Sequence, residues 1–281
     1  MAPEDVSKTA VITPFGQFEF LRVPFGLRNA AQTFQRFIGT VLHGLDFVCA
    51  YIDDQLIASS SLEDHYKQME TVFHRLDEYG VVINPSKCQF GQTEVKFLGH
   101  LITPQGIRPL LSKVEAISNF PIPTSKRQKK RFLGMVNFYG RFIPYCATVA
   151  LPLVSISSGE NNKLQLTPEQ LKSFSRLKEL LVNSTAIAHP IPGAELHLMV
   201  DASNIGIGSK LHQNHDEQLV PLGFFSKTPQ PAERRYSTFG RELLSFSEAL
   251  SNLRRRPSHH RPDRPQTSYF SYSATFKSIY R

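Results

Sequence analysis

Two carboxylates stand side by side at Asp53 and Asp54, inside the otherwise apolar stretch FVCAYIDDQLIAS, Phe47 to Ser59, which holds no basic residue to offset them. Ionised carboxylates about 4 Å apart repel by roughly 4 kcal/mol at an effective dielectric of about 20. A fold tolerates that with a cation, a shared proton or full solvation. Magnesium is the natural cation, a hard ion bound through one or two carboxylates with its other positions left to water and phosphate oxygens. Two such ions about 4 Å apart can activate an attacking hydroxyl and stabilise a leaving pyrophosphate. Apolar strands on both sides would pin the turn as a metal site requires. A solvated turn would account for the dipeptide as well, because Asp is a common turn residue.

The elements that must position this pair are written around it. KTAVITPFGQFEFLRV, Lys8 to Val23, predicts two β-segments around a Pro14/Gly16 turn. NAAQTFQRFIGTVLHG places Ala30, Phe34, Phe37, Ile38, Val41 and Leu42 at helical spacing and stops at Gly44. The Asp-Asp stretch then reads as a β-hairpin. A second helix follows, capped by Ser61, with Leu62, Met69, Val72, Phe73 and Leu76 as its apolar stripe and Gly80 as its stop. VVIN and KFLGHLI are short β-segments. Beyond Thr103 the prolines 104, 109, 121 and 123 punctuate a short helix, SKVEAISNF. A basic helical segment follows, in which Lys126, Arg127, Lys129, Lys130 and Arg131 precede apolar Phe132, Leu133 and Val136. Residues 157–168 have the polarity of a linker, followed by the helix EQLKSFSRLKELLVNS. Three strands (LHLMVDAS, IGIGSKLHQ, LVPLGFFS) and a final helix, RRYSTFGRELLSFSEALSNL, come next. From Arg254 the hydrophobic period is lost in a stretch rich in Arg, Pro, Ser and Tyr, which predicts disorder.

The 281 residues suffice for a real core in one large or several small domains. A formal charge of +8 suits a polyanionic partner without separating nucleic acid from an acidic membrane. Cys49, Cys88 and Cys146 are far apart, which excludes a Cys-x-x-Cys zinc site and a disulfide framework and leaves them as small buried hydrophobes. No segment has the roughly 18 consecutive apolar residues of a membrane span. The N-terminus lacks the basic-then-apolar order of a signal peptide, so a soluble, intracellular, cytoplasmic protein without a membrane partner is expected.

YIDD resembles the Tyr-x-Asp-Asp box of reverse transcriptases, and its surroundings resemble the Pol polyprotein of Gypsy-type LTR retrotransposons. TPFGQFEFLRVPFGLRNAAQTFQRF is similar to the segment carrying that family's Pro-Phe-Gly-Leu motif. NPSKCQFGQTEVKFLGHLITPQGI resembles its primer-grip region, and FLGMVNFYGRFIPYCATVALPL its thumb. The likeness runs from Glu4 to about Leu253 with the motifs in family order. It implies that Asp53 and Asp54 hold catalytic Mg2+, that Tyr51, Phe25 and Gly26 shape the nucleotide pocket, and that Phe97, Leu98 and Gly99 present the primer end. The basic run from Lys126 to Arg131 would then meet phosphates, giving salt-dependent affinity without sequence choice.

LHLMVDASNIGIG further resembles the start of the family's RNase H module, and RYSTFGRELLSF its following helix. Asp201 and Glu242, 41 residues apart, would be its first two metal ligands. The chain departs from the pattern in three places. The family's third polymerase aspartate lies on a strand before the segment that matches EDVSKTA, and this chain starts at Met1; Asp5 is not that residue. Lys210 stands where the second RNase H strand normally packs. No Thr-Asp-His element follows, and so abrupt a loss of pattern is what a shifted reading frame would leave.

The resemblance thus implies an α+β chain: a partial reverse-transcriptase palm over 1–103, a thumb-like helical region over 104–156, a linker and connection helix over 157–192, an incomplete RNase H-like α/β module over 193–253, and a degenerate tail over 254–281. The function expected is that of a fragment of an RNA-directed DNA polymerase with an RNase H module. Its partners would be an RNA/DNA primer-template, deoxynucleoside triphosphates and other Pol modules. With the third aspartate missing, the fragment is expected to be inactive alone. The alternative is a non-catalytic nucleic-acid-binding remnant or co-opted protein. With a central palm strand missing, the palm sheet should also expose an unpaired edge, an aggregation liability.

Overall fold

The computed structural model describes residues 1–24, 26–154, 164–255 and 272–279, with backbone alone for 253–255 and 272–279. A four-residue helix α1 (Pro3–Val6) leads into the hairpin β1 (Val11–Thr13) and β2 (Gly16–Phe18), which leaves Ile12 and Phe15 almost fully exposed. Helix α2 (Ala30–Val41) follows the predicted stripe, burying Phe34, Ile38 and Val41. Gly44 closes the turn after it at φ +85°, a conformation an L residue with a Cβ rarely adopts.

Strands β3 (Val48–Tyr51) and β4 (Asp54–Ser59) form the predicted hairpin, and α3 (Leu62–Glu78) starts where the Ser61 hydroxyl accepts the Asp64 N–H. The apolar faces of α2 and α3 meet Ile57 of β4 in one core with Met69, Val72 and Leu76. The short strands β5 (Val82–Ile83) and β6 (Gln89–Gln92) come next. Strands β7 (Val95–Phe97), β8 (His100–Thr103) and β9 (Gly106–Pro109) make a three-stranded antiparallel meander whose Val95 and Phe97 pack on Cys49 and Leu56.

Helices α4 (Leu111–Ser118), α5 (Lys126–Phe138), α6 (Cys146–Val154) and α7 (Pro168–Val182) share a second core around Phe132, Phe142, Leu153, Phe174 and Leu177. Helix α7, read from sequence as a connector, is therefore part of the helical core. Its stripe (Phe174, Leu177, Leu181) supplies one wall, and Thr167 with Gln170 forms a reciprocal capping box at its start. Strands β10 (Leu196–Ala202), β11 (Ile207–His215) and β12 (Gln218–Lys227) form an antiparallel sheet covered by α8 (Thr238–Arg255).

The disorder expected from Arg254 is corrected where the tail is described, at 254–255 and 272–279; residues 256–271 and 280–281 lie outside the described residues. The helix continues to Arg255, and Tyr272–Ile279 is a strand, β13, antiparallel to β4 and paired with β5 and β6 on its other side. The β4 edge is thus covered, and among the described strands β3 ends that sheet. A strand added to an existing edge gains main-chain hydrogen bonds whatever its side chains, so it needs no hydrophobic period of its own. That is why the sequence did not reveal it. Among the described residues no helix is long and apolar enough to cross a membrane.

Candidate active site and nucleic-acid interface

Asp53 and Asp54 are placed by a two-residue hairpin. Tyr51 pairs with Asp54, and Ile52 and Asp53 make the turn. Ile52 sits at φ +50°, a rare conformation for a β-branched residue and one that costs about 1–3 kcal/mol. Gln35 of α2 holds it there: its amide nitrogen donates to the Ala50 carbonyl at 3.1 Å, and its amide oxygen accepts the Ile52 N–H at 2.6 Å. Asp53 is exposed at the tip, Asp54 half-buried, and Tyr51 exposed opposite it.

Strand alternation puts Tyr51 and Asp54 on the face that carries Cys49 and Leu56, where the β7–β8 hairpin packs. The next residue, Gln55, turns to the other face fully buried, and among the described residues neither polar atom of its amide has a hydrogen-bond partner.

The β7–β8 turn is Leu98–Gly99, both at positive φ (+45° and +80°), as tight two-residue hairpins favour. Its position is fixed from the helical side. The Gly99 carbonyl accepts the Tyr139 hydroxyl at 2.9 Å and the Leu110 N–H at 3.2 Å, and a Cβ on Gly99 would lie 3.2 Å from that hydroxyl. Phe97 is buried beneath the turn, and His100 stacks on Phe138 with centroids 5.4 Å apart. Burial, and then the Arg141 charge, holds the His100 imidazole below its usual pKa. Tyr51 and Asp54 thus lie on the face of the hairpin whose Cys49 and Leu56 pack against Phe97 and Leu98, and Gly99 follows Leu98 in the turn. Gly26 lies exposed at φ +95° just ahead of α2, and Phe25 lies outside the described residues.

The basic run occupies the first two turns of α5, where the Ser125 hydroxyl accepts the Gln128 N–H. Arg127, Lys130 and Arg131 are exposed and Lys126 is half-buried. Lys129 is the correction: it stands one turn before Phe132 on the core side and is buried. Burial, with the charges of Lys126 and Lys130, lowers its pKa.

The second carboxylate pair is spread over two elements. Leu198, Ser209 and Leu211 turn towards Ala249 and Asn252 of α8. By alternation Asp201, Gly208 and Lys210 turn the other way, towards the start of α6. There Asp201 lines a small cleft with Met199, Lys210 and Tyr145, and the Lys210 ammonium sits 5.0 Å above the Tyr145 ring. This contact accounts for a lysine in the strand. Helix α8 is fastened to the sheet by Arg241, which donates to Asn204, and by the Ser245 hydroxyl, which donates to the Gly208 carbonyl at 3.0 Å. Glu242 is exposed on α8, next to Arg241 in sequence.

Among the described residues no three or more His, Cys, Asp or Glu side chains are grouped so as to hold a metal ion. Asp53 and Asp54 alone still form a donor set that suits a hard oxygen-seeking cation completed by water and phosphate. Cys49 and Cys146 are the small buried hydrophobes expected, whereas Cys88 is half-buried and its thiol donates to the Asn84 carbonyl at 3.1 Å. Burial pushes the Cys49 thiol up to about 12 and Cys146 up to about 11, which keeps both protonated.

Known proteins share both halves of this arrangement. Residues 1–102 match the family described as reverse transcriptase (RNA-dependent DNA polymerase), and residues 166–257 match the RNase H-like domain found in reverse transcriptase. The Drosophila melanogaster Pol polyprotein from transposon opus is 38% identical over 266 residues, 90% of this chain. That from transposon 297 is 37% identical over 256 residues, also 90% of the chain. The Schizosaccharomyces pombe transposon Tf2-3 polyprotein is 31% identical over 253 residues, 89% of the chain. The chain belongs to the retrotransposon Pol family. It spans 26%, 24% and 19% of those three polyproteins. The foamy viral protease-reverse transcriptase shares its fold. The structure of its dRH form with double-stranded DNA superposes at TM-score 0.77 and 22% identity, covering 93% of this chain and 46% of that one. The form bound to an RNA/DNA hybrid also gives 0.77 and 22%, covering 90% and 34%. The Gypsy-type Pol resemblance and the mixed α/β palm, thumb and RNase H-like architecture expected from sequence are thereby borne out.

What sequence reasoning missed in the site is the Gln35 clamp and the Tyr139–Gly99 hydrogen bond. Gln35 looks like any polar residue on an amphipathic helix. The signal for it is indirect: a β-branched residue at a two-residue turn needs something to hold it.

Proposed function

We propose that the chain is the palm and thumb part of an RNA-directed DNA polymerase with its RNase H-like module, divided as the sequence indicates. It would bind primer-template and turn over poorly without a further carboxylate. The observation that carries the reading is one shared face: the clamped Asp53–Asp54 hairpin and the rigid Phe97–Gly99 turn are packed through Leu56, with a basic helix joined to that turn through Tyr139. Asp53 and Asp54 would hold magnesium, which when bound supplies charge stabilisation to a triphosphate and acidity to a primer hydroxyl. Tyr51, Phe25 and Gly26 would border the incoming deoxynucleotide. Phe97, Leu98 and Gly99 would support the primer end. Arg127, Lys130, Arg131 and Lys126 would meet backbone phosphates, while Lys129 serves the helix core. Asp201 and Glu242 would be metal ligands of the RNase H-like module, and Lys210 beside Asp201 works against cation binding there.

A mobility-shift assay with primed template, magnesium and deoxynucleotides tests this. The complex should weaken steeply with salt. Alanine at Arg127, Lys130 or Arg131 should each lower the salt slope by about 1, whereas alanine at Lys129 should lower stability instead. Primer extension should be absent or slight, and Asp53→Asn should leave duplex binding intact. Extension abolished by Asp53→Asn would show that the pair needs no third partner. Failure to shift primer-template at low salt would remove the reading.

The absence of a third metal-ligating side chain among the described residues favours a second reading, a binding protein without turnover. Manganese binding separates the two: a site weakened by Asp53→Asn supports the polymerase reading, and an unchanged one supports the second.

A further inference from the structure

Strand β4 starts at the half-buried candidate carboxylate Asp54 and is buried from there to its end. Gln55, Leu56, Ile57, Ala58 and Ser59 are all buried, with Leu56 packed towards Phe97 and Ile57 between α2 and α3. One edge of β4 pairs with β3. The other pairs with β13 without a bulge, from Tyr272 opposite Ser59 to Lys277 opposite Asp54. On its far side β13 pairs Ser278 and Ile279 with β5, and Ser273 and Thr275 with β6. Among the described strands, β13 is the one that joins the hairpin to β5 and β6. Its register ends at a candidate metal ligand, with residue 277 directly across from Asp54, and residues directly opposite in an antiparallel pair share a face.

We propose that Tyr272–Ile279 is a displaceable strand that plugs the candidate catalytic edge. The open side of β4 is a strand-acceptor surface, filled here by the chain's own C-terminal segment. While that segment is seated, a lysine holds the position across from Asp54, and no other extended segment can bring a carboxylate to it. The functional meaning of the plug rests on the polymerase reading; its existence does not.

Two experiments on the full chain test it. In the Ala58→Cys/Ser273→Cys double variant, directly opposed cysteines should oxidise to an intrachain disulfide at any protein concentration, while Ala58→Cys alone should not cross-link. In Thr275→Pro, which removes a main-chain donor in mid-strand, the β4 amides facing β13 should exchange hydrogen at least about 10-fold faster than in the unmodified chain. A synthetic peptide of residues 272–279 added in excess should slow that exchange again. The proposal is overturned by the absence of a disulfide or by a purely interchain one, which would mean a strand exchanged with a second copy. Unprotected β4 amides in the unmodified chain, or a peptide without effect, would overturn it equally. Should Thr275→Pro fail to fold, the disulfide still decides. Neither readout uses nucleic acid or metal, so loss of primer-template binding would end the polymerase reading and leave the plug standing.

Discussion

Asp53 and Asp54 are consecutive residues, and the covalent chain brings their carboxylates together before any tertiary structure forms. Asp201 and Glu242 are 41 residues apart, on a strand and a helix that meet only when the sheet β10–β12 and α8 have packed together. The first pair needs one long-range device, the Gln35 clamp, to fix a strained turn. The second depends on the seam that seats its sheet against the rest of the molecule. Adjacent ligands place the burden on local backbone conformation, and distant ligands place it on packing between modules. Substitutions at the clamp and at the seam should therefore affect different regions.

The seam should give the largest effect. Ile107 and Ile187 exchange main-chain hydrogen bonds at 2.8 and 3.0 Å, and the Ala188 N–H donates to the Pro221 carbonyl at 2.8 Å, tying β9 to β12. Gly106 makes this approach possible: it lies at φ +150°, and a Cβ there would stand 2.3 Å from the Ile187 carbonyl oxygen. Gly106→Ala should cost about 2–4 kcal/mol in denaturant unfolding. The amides of β10–β12 should lose exchange protection while those of β3 and β4 keep it. Equal loss in both regions would end the contrast.

At the clamp the effects are smaller and of both signs. Gln35→Leu removes two hydrogen bonds and strands the Ile52 N–H, for a loss of about 1–3 kcal/mol and faster exchange at Ile52 itself. Gln55→Leu replaces a buried amide whose polar atoms have no partner among the described residues, and should raise stability by about 1–2 kcal/mol. A destabilised Gln55→Leu would mean that this amide has work to do near Asp54. Chemical denaturation of the two variants beside the unmodified chain decides both.

Much of the first region was legible in the sequence because its signals are local. The Phe34, Ile38, Val41 stripe, the Ser61 cap, the Gly44 and Gly80 stops and the Asp-Asp hairpin each report one element's own buried face or end. The three strands after Leu196 were legible for the same reason. Lys129 escaped because a basic run masks which of its members points inward; its spacing to Phe132 and Val136 carried the information. The role of Gln35 is a long-range bond to a turn, and nothing in the helix period records such a bond. β13 escaped because strand addition is carried by main-chain groups that every sequence possesses. The seam rests on a glycine whose need shows only once Ile187 lies against it.

Acidity offers the finest comparison, because a buried imidazole, His65, sits in the first region and a half-buried one, His189, at the seam of the second. His65 lies beneath β4, with its Nδ1 2.8 Å from the Ser59 hydroxyl. His189 lies at the seam, its Nε2–H donating to the Thr103 carbonyl at 2.7 Å. Burial lowers the pKa of both, and for His189 the bond to Thr103 opposes the shift in part. A folded-state pKa below the unfolded value means that the unfolded chain binds more protons as pH falls. Stability should therefore be fully present above the ordinary histidine pKa of about 6.5 and decline as pH drops through the lowered values. Melting temperatures should be level from about pH 8 to 7 and fall towards about pH 5, with the decline shallower in His189→Gln, which keeps a donor for Thr103 but does not titrate. Amide exchange at acid pH should then show β10–β12 retaining protection in that variant while β4, still resting on His65, loses it. A rise in stability on acidification, or identical pH profiles for the two proteins, would mean that the seam histidine does not report on the second region at all.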